Sequence, residues 1–372
     1  MEKILLKTIK IIYTKYYDND LNQITIGGVQ TYITDLLGII KELGCSICIY
    51  QQSETNFEHN IEEDVKVVGV KCTDKNRNKL LYLAARKDDN DSLVIFATDN
   101  IIPKRTLGKT LAIQHGIYWD IPNKSKRTQF LFSLAKGYFS YKKISKLKNV
   151  NSIICVDYNF VNWYRTQVAE TLNNIEVIPN YTKIANRVVK SDDTIKIIFA
   201  RRLFYYRGTR IFVKAIKKIL DEKLNVFVTI AGCGPDEKLM REKLQTYNNV
   251  QFIQYESKDS LKVLSQQHIS VVPTIGSEGT SLSLLESMSA QCAVVCSDVG
   301  GMTNIVLNGY NGLMVPAEDS EGLYYAIKEL ILNKSKRQEL AMKGYETVQK
   351  AFSYEIWKEK WKKILVKALS NE

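Results

Sequence analysis

The sequence lacks the patterns typical of a membrane-spanning helix, a signal peptide or a repeat protein. No run approaches the roughly 18 uninterrupted apolar residues that a membrane-spanning helix needs. No low-complexity tract and no short-period repeat occurs. Lys7 and Lys10 interrupt the apolar opening, and no small-residue cleavage site follows it, so we expect a first strand there and not a signal peptide.

The sequence also lacks patterns typical of metal and nucleic-acid binding. Cys45 and Cys48 form a C-x-x-C, but no second Cys/His pair stands at zinc spacing, and Cys48 lies in a predicted strand. Most of the seven cysteines lie in apolar runs, as small buried side chains do in a reducing cytosol. No recognition helix, zinc finger or aromatic RNA platform is recognisable, so we expect no metal and no nucleic-acid partner.

Positive charge is in excess, with a formal net charge of +12 and a pI of about 9.1, which favours anionic partners. The densest basic segment is Lys136–Lys148, where lysines alternate with aromatic and apolar side chains. Two interpretations stay open: a solvated helix face, or a patch that binds an anionic membrane surface. We expect a cytoplasmic protein, with peripheral attachment to the inner face of the membrane as the second possibility.

Short β-branched runs alternate with segments of helical period, which is typical of βα units and parallel sheets. The predicted strands are Ile4–Ile12, Ile47–Tyr50, Val65–Val68, Leu93–Phe96, Leu111–Gln114, Ile153–Val156, Ile175–Ile178, Ile195–Ala200, Val226–Ala231, Val250–Ile253, Ile269–Pro273, Ala293–Ser297 and Leu313–Val315. The first helix has apolar residues from Val29 to Leu43, and Gly44 is its predicted stop. Because the pattern loses its period at 183–194, we expect a linker between two doubly wound sets, with ligands at the carboxyl ends of their strands.

The strongest motif is the segment 277–286, SEGTSLSLLE, which follows a predicted strand. A helix is predicted to start near Thr280, and the amides of such a start attract phosphate oxygens. Glu278 and Glu286 would then border one cleft and accept hydrogen bonds from sugar or ribose hydroxyls. The structural alternative makes Ser283 and Glu286 a capping box and lets Glu278 offset the helix dipole.

Other segments place charged or small residues at the ends of predicted strands. They are Gly27-Gly28, Gln114-His115-Gly116, Arg201-Arg202, Arg207-Gly208 and Gly232-Cys233-Gly234-Pro235. Two cations at the carboxyl end of a strand, beside a helix start, are suited to hold a diphosphate without metal. Glycine turns let a ligand approach the backbone closely. An isolated histidine, by contrast, is more often structural.

Taken together, these segments resemble the retaining glycosyltransferases of family 4, which have the GT-B fold. Glu278 and Glu286 match the family's two glutamates separated by seven residues. The other matching segments are Gly27-Gly28, Ile178-Pro179-Asn180, Arg202-Leu203, Arg207-Gly208, Ile230–Pro235, Val294–Gly301, Asn311–Val315 and Phe352–Glu355. The resemblance spans nearly the whole chain and is specific from 196 to 316. Arg207 replaces the family's usual lysine, and Tyr181 stands where glycine is common.

The resemblance implies an α/β architecture of two Rossmann-like, doubly wound domains that face a central cleft. It implies an acceptor-side domain of residues 1–184 plus 353–372, with a returning C-terminal helix, and a donor-binding domain of residues 185–352. The implied catalytic residues are His115, Arg202, Arg207 and Glu278. The implied donor-binding residues are Gly27, Gly28, Gly232, Gly234, Gly279, Thr280, Ser281, Leu282 and Glu286.

The resemblance also implies a role for each part of the site. Arg202 and Arg207 would bind the donor diphosphate, together with the amides around Thr280. Glu286 would bind the ribose hydroxyls, and Glu278 the transferred sugar. The backbone at Gly28 would approach the diphosphate from the opposite domain, and the side chain at 115 would face the reacting sugar.

The implied activity is metal-independent transfer of a sugar, with retention and without a cofactor, from a nucleoside-diphosphate sugar to a glycan or lipid-linked saccharide. Surface polysaccharide synthesis is the expected setting. Asp18-Asn19-Asp20 and Asp89-Asn90-Asp91 offer the metal-binding alternative, but we predict turns at both. A nucleotide-sugar epimerase or phosphorylase of the same fold, or a non-catalytic nucleotide-binding scaffold, are the alternative functions.

Overall fold

The computed structural model describes residues 7–25, 27–87, 89, 91–117, 137–138, 140–168, 174–191, 193–276 and 278–370. Its strands are β1 (Thr8–Tyr13), β2 (Tyr17–Asp18), β3 (Gln23–Ile24), β4 (Ser46–Ser53), β5 (Phe57–Glu62), β6 (Val65–Lys71), β7 (Leu93–Phe96), β8 (Thr110–Gln114), β9 (Ser152–Cys155), β10 (Ile175–Val177), β11 (Ile195–Ala200), β12 (Val226–Ala231), β13 (Val250–Ile253), β14 (Ile269–Val272), β15 (Ala293–Ser297) and β16 (Leu313–Val315). Its helices are α1 (Gly28–Glu42), α2 (Arg77–Arg86), α3 (Tyr158–Arg165), α4 (Thr209–Asp221), α5 (Glu237–Leu244), α6 (Ser260–Leu264), α7 (Leu282–Ser289), α8 (Ser320–Leu332), α9 (Lys334–Ala351) and α10 (Tyr354–Leu369).

The first sheet has eight strands in the order β10-β9-β8-β7-β1-β4-β6-β5. All neighbours are parallel except β5, which pairs antiparallel with β6. Every predicted strand of this half is found. The bounds of β7 are as predicted, and the others have one or both ends shifted by one to a few residues; the predicted start of β1 lies outside the described residues. The edge strand β5 and the small β2–β3 hairpin were not predicted from the sequence.

The second sheet has six parallel strands in the order β13-β12-β11-β14-β15-β16. From β11 the chain first builds outward through β12 and β13, and then returns to the other side of β11 as β14. The winding direction therefore switches between β11 and β14, and the loops after these two strands meet at the carboxyl edge, where the amide of Ile275 donates to the carbonyl of Tyr206 at 3.0 Å. Ligands of doubly wound sheets bind in a crevice at such a switch point. The predicted α/β class and the two doubly wound domains are confirmed.

Helices α1 and α10 cover the same core of the first sheet. The stop of α1 is confirmed, because Gly44 follows it with a φ of 72°. Trp357 and Trp361 of α10 are buried in this core, and Nε1 of Trp361 donates to Tyr32 Oη at 2.8 Å. The C-terminal helix thus returns to the first half of the chain, as predicted, while the domain boundaries at 184/185 and 352/353 stay a prediction.

The chain crosses between the two halves twice, and the two crossings pair with each other. The amide of Thr182 donates to the carbonyl of Phe352 at 3.0 Å, and the amide of Tyr354 donates to the carbonyl of Thr182 at 3.1 Å. Beside them Tyr181 donates to the carboxylate of Asp35, and its ring lies 4.1 Å from that of Trp357. The tyrosine that replaces the family's common glycine therefore anchors the first crossing to the first domain.

No helix within the described ranges has the length and apolarity needed to span a membrane.

Candidate active site

Two arginines and one glutamate meet at the carboxyl ends of β11 and β14. Nη2 of Arg201 donates to both carboxylate oxygens of Glu278 at 2.7 Å, and Nη1 of Arg207 lies 2.7 Å from Oε1. Nη1 of Arg201 also donates to Thr274 Oγ1, which in turn donates to Glu278 Oε2 at 3.0 Å. The switch point of the second sheet thus joins residues that are far apart in the sequence.

This cluster decides the charge of Glu278. Burial by itself raises the pKa of this carboxyl group, but the nearby charges of Arg201 and Arg207, and the hydrogen bonds from Arg201 and Thr274, lower the pKa to about 2. Glu278 is therefore ionised throughout the neutral range and can only accept hydrogen bonds.

The two neighbouring arginines at the end of β11 differ in their surroundings. Arg201 is buried on Glu278, so the expectation that both Arg201 and Arg202 would form a diphosphate clamp is wrong for Arg201. Arg202 is exposed and makes no ion pair with another described residue. Arg207, with 20% of its side chain exposed, combines contact with Glu278 and access to the crevice. Arg202 and Arg207 are thus the cations of this edge that a ligand can reach.

Within the 277–286 motif the helix begins at Leu282, two residues later than predicted. Ser277 itself lies outside the described residues. Its start has no side-chain cap and no acidic residue in the first turn. Glu286 instead accepts a hydrogen bond from Ser260 Oγ at 2.6 Å, so the capping-box alternative is wrong. Burial raises the pKa of Glu286, and the bond from Ser260 opposes that rise. The amides at the start of α7 are consequently open to an anion.

The start of α1 lies opposite the start of α7. A Cβ placed on Gly28 would lie 3.8 Å from Leu282 Cδ1, so the two helix starts approach each other across the domains. The residue before α1, Gly27, has an extended conformation and provides no side-chain cap, and no acidic residue stands in the first turn of α1. The starts of two helices, where the positive ends of their dipoles lie, therefore come close together.

The glycine turn after β12 packs directly on the arginine segment. A Cβ on Gly232 would lie 2.2 Å from the carbonyl oxygen of Arg201, and a Cβ on Gly234 would lie 2.6 Å from that of Leu203. Both glycines have positive φ, 136° and 152°. In this structure their small size serves first to seat the 201–203 backbone, which in turn fixes where Arg202 lies.

The first domain meets the 278–281 loop with the ends of β8 and β9. A Cβ on Gly279 would lie 2.9 Å from the carbonyl oxygen of His115. Thr280 Oγ1 donates to the carbonyl of Val156, and Nδ2 of Asn180 donates to the carbonyl of Thr280 at 2.8 Å. The carboxyl edges of the two sheets therefore face each other, with the predicted phosphate loop between them.

The His115 ring sits at this junction. Its Nε2 lies 2.9 Å from the carbonyl of Ala97, which can only accept, so Nε2 carries the proton and Nδ1 keeps a lone pair. The ring stands edge-on to Tyr32, with centroids 5.2 Å apart. Burial lowers the pKa of His115 to about 4, so the imidazole is neutral at pH 7 and suited to polar contact with an uncharged sugar.

The remaining predicted features lie away from this junction. Asp18 Oδ1 accepts from the amides of Asp20 and Leu21, and Asp89 Oδ1 accepts from those of Asp91 and Ser92, so both predicted turns are confirmed. Across the described part of the chain no group of three His, Cys, Asp or Glu residues is arranged to hold a metal ion.

The basic segment is only partly described, because Lys136 lies outside the described residues. Lys142 and Lys148 are exposed, as are the rings of Tyr138 and Tyr141. The apolar residues of this segment, Ile144 and Leu147, are instead buried in the first domain.

Three polar residues of the site were not predicted from the sequence. Ser260 binds Glu286 from a position 26 residues earlier, and Thr274 binds Glu278 from the end of β14. Asp157 caps α3 through the amide of Phe160 at 2.8 Å, and its Oδ2 is buried at the junction without a described partner. Only Asp157 has a local signal, since an aspartate between a strand and a helical pattern is typical of an N-cap.

Two Rossmann-like domains whose carboxyl edges face each other across an anion-attracting crevice define a GT-B protein. Residues 180–347 match the family described as Glycosyl transferases group 1. An uncharacterized glycosyltransferase of Methanocaldococcus jannaschii is 24% identical over 340 residues, which cover 89% of this chain and 92% of that protein. The capsular polysaccharide biosynthesis glycosyltransferase CapM of Staphylococcus aureus is 24% identical over 58% of this chain and 56% of its own length.

The fold is also shared with solved structures. HepE of Anabaena, solved in complex with UDP-glucose, superposes with a TM-score of 0.72 at 13% identity and covers 97% of this chain and 100% of its own. Residues 180–347 thus resemble a group 1 glycosyltransferase domain, and the chain is a glycosyltransferase.

Proposed function

We propose that the chain transfers a sugar, with retention of its anomeric configuration, from a nucleoside-diphosphate sugar to a glycan or lipid-linked saccharide. The observation that carries this proposal is the meeting of two uncapped helix starts, α1 and α7. The accessible guanidinium groups of Arg202 and Arg207, which follow β11, add to it. The UDP-glucose bound by HepE and the polysaccharide setting of CapM support the choice of donor and acceptor class.

In the proposed donor complex the diphosphate lies between the two helix starts. Arg202 and Arg207 bind its oxygens, and the amides from Gly279 to Leu282 add uncharged donors. Glu286, held by Ser260, accepts the ribose hydroxyls. The open backbone at Gly28 lets the opposite domain approach the same phosphates.

The proposed chemistry follows from where charge develops. Cleavage of the anomeric C–O bond leaves a nucleoside diphosphate with growing negative charge, and fixed cations and helix starts stabilise that charge without moving. The neutral ring of His115 and the ionised carboxylate of Glu278 face the sugar. Glu278 accepts hydrogen bonds from the sugar hydroxyls. Because positive side chains already stand at the leaving group, we propose a reaction that needs no metal ion.

The test is transfer and donor hydrolysis by purified protein across a panel of nucleotide sugars, with NMR assignment of the product anomer. Arg202→Ala and Glu286→Ala should each lower kcat/KM about 10²- to 10³-fold, the effect typical of losing one such donor. Arg241→Ala is the matched control, because this exposed arginine pairs with Glu237 on α5 and lies over the ring of Phe252, and neither residue belongs to the proposed site. Full activity in both site variants, or an inverted product, contradicts the proposal.

The same assay separates the alternative functions. An epimerase would convert the donor without an acceptor, and a phosphorylase would need free phosphate or a sugar phosphate. A non-catalytic scaffold would bind a nucleotide sugar tightly and turn over none of it with any acceptor.

We also propose that segment 136–148 binds an anionic membrane surface, where lipid-linked acceptors are found. The exposed Lys142, Lys148, Tyr138 and Tyr141 support this. Flotation with phosphatidylglycerol vesicles should carry the protein at low salt and release it at high salt. Absence of binding at low salt contradicts this part alone.

A further inference from the structure

Arg201 is the least accessible charge of the site, and its contacts are all internal. Its side chain is 4% exposed. Nη2 spans both oxygens of Glu278 at 2.7 Å, and Nη1 donates to Thr274, which itself donates to Glu278. One nitrogen of the planar guanidinium thus lies against the carboxylate and the other against Thr274, so Arg201 holds Glu278 both directly and through Thr274.

Arg207 binds the same carboxylate in a different way. Its Nη1 lies 2.7 Å from Oε1, and 20% of its side chain is exposed. Its guanidinium also lies 5.1 Å from the ring centroid of Tyr206. This cation–π contact can persist while the arginine side chain moves across the ring face. Arg207 can therefore exchange Glu278 for a ligand, whereas Arg201 has no route to the crevice.

We propose that Arg201 is a positioning residue that holds Glu278 ionised and in one orientation, so that Arg207 can move from Glu278 to the donor diphosphate. This rests on the proposed function, in which Glu278 contacts the transferred sugar. Without Arg201, movement of Arg207 would leave a buried carboxylate unpaired, which is strongly unfavourable. With Arg201 in place, one cation and one anion remain buried together.

The balance of charges explains why two arginines serve one glutamate. The two arginines carry two positive charges, and the carboxylate neutralises one of them. The remaining positive charge is available to an incoming diphosphate. Once Arg207 binds phosphate, the Arg201–Glu278 pair is neutral, and Thr274 still fills one acceptor position of Oε2.

The test compares pH profiles of kcat/KM in the wild type, Arg201→Lys and Arg201→Met. In the wild type the two arginines hold the pKa of Glu278 at about 2. Protonation of Glu278 therefore produces no fall of kcat/KM on the acid side (no acid limb) above pH 5. In Arg201→Met the remaining burial raises that pKa, so activity should fall about 10²-fold or more at pH 6 and recover partly toward pH 8.5. Arg201→Lys should keep the charge, lose the separate hydrogen bond to Thr274 and lie between the two.

The control is Arg337→Met, which removes another buried arginine that donates to the carbonyls of Leu330 and Ile331. It should lower stability without moving the acid limb. A loss of activity in Arg201→Met by the same factor at every pH, or no loss, overturns the inference. Should Arg201→Met not fold, Thr274→Val takes its place, with a smaller shift expected in the same direction.

A second measurement separates this inference from the proposed function. Thermal unfolding of the wild type, Arg201→Met, Glu278→Gln and the double variant gives the coupling between the two side chains without any substrate. Strong coupling at pH 7 that persists to about pH 4.5, the ordinary pKa of this carboxyl group, and is lost as pH falls toward 2 supports the pairing even if no sugar is transferred, a result that would contradict the proposed function alone. Absence of coupling overturns the inference whatever the activity.

Discussion

At the scale of single residues, the pKa values of two carboxyl groups of the crevice shift in opposite directions. Glu278 has two arginines beside it, which lower its pKa to about 2. Asp157 is buried with only backbone amides as partners, and burial raises its pKa to about 6. The direction of each pKa shift depends on whether an opposite charge lies beside the buried carboxyl group.

Asp157→Asn should stabilise the protein at pH 7.5 by about 1–3 kcal/mol and have little effect at pH 4.5. Because the folded pKa, about 6, lies above the ordinary 3.8, folding binds a proton between these values, and stability falls as pH rises through this window. The asparagine oxygen still accepts from Phe160. Urea unfolding of both proteins at the two pH values measures the difference.

Asp319→Asn is the matched control, since Asp319 likewise caps a helix, through the amide of Gly322 at 2.8 Å. Its effect should be small and equal at both pH values. An Asp157→Asn protein that is less stable than the wild type at pH 7.5 contradicts the account of this carboxylate.

Residue roles are the part of the site that sequence predicts least. The motif at 278 and 286 and the cations at 202 and 207 are visible because they stand at strand ends in a fixed order. The partner of Glu286, Ser260, is not, because the contact forms only when α6 and α7 pack side by side. For Arg201, sequence shows a cation at the right strand end and leaves undecided whether it faces ligand or protein.

At the scale of elements, close packing of turns positions the charged residues. Gly208, which precedes α4, has a φ of 81°, and a Cβ there would lie 1.7 Å from the carbonyl oxygen of Pro273. The turn that carries Arg207 is therefore packed against the end of β14, from which the Glu278 loop departs. Any side chain at 208 must separate the two.

Gly208→Ala should lower the free energy of unfolding by about 1–3 kcal/mol and weaken donor binding, because it strains the backbone and pushes the Arg207 turn from β14. Gly38→Ala is the control, since Gly38 lies within α1 with no atom within 4 Å of the added Cβ. That change should be neutral or stabilise by about 0.5–1 kcal/mol. Calorimetry of nucleotide binding and unfolding checks both; equal behaviour of the two variants contradicts the packing argument.

Sequence predicts elements well where burial is two-sided. The inner strands β7, β11, β12 and β15 have the predicted bounds, because parallel strands covered on both faces are continuous apolar runs. The edge strands β13 and β16 also have the predicted bounds, although β13 is only partly buried. The edge strand β5 was missed because it alternates polar and half-buried residues and depends on β6 for its pairing. Such a strand has no continuous signal of its own.

At the scale of the whole molecule, the site exists only where the two domains meet. The loop at 279–280 is held by His115, Val156 and Asn180 of the first half of the chain, and the paired crossings at Thr182 and Ser353 lie at the base of the same junction. Sequence order predicts two sheets, but the contacts between them join residues 100 or more positions apart. They could be anticipated only through resemblance to a known fold.

The central claim is that the diphosphate of the donor binds between the starts of α1 and α7. A crystal structure with the nucleoside diphosphate that gives the largest thermal shift in a nucleotide panel tests it most directly. We expect phosphate oxygens within about 3 Å of the guanidinium groups of Arg202 and Arg207 and of the α7 amides, with the ribose on Glu286. A nucleotide bound elsewhere, or one bound in the crevice without contact to Arg202, Arg207 and Glu286, would contradict the account.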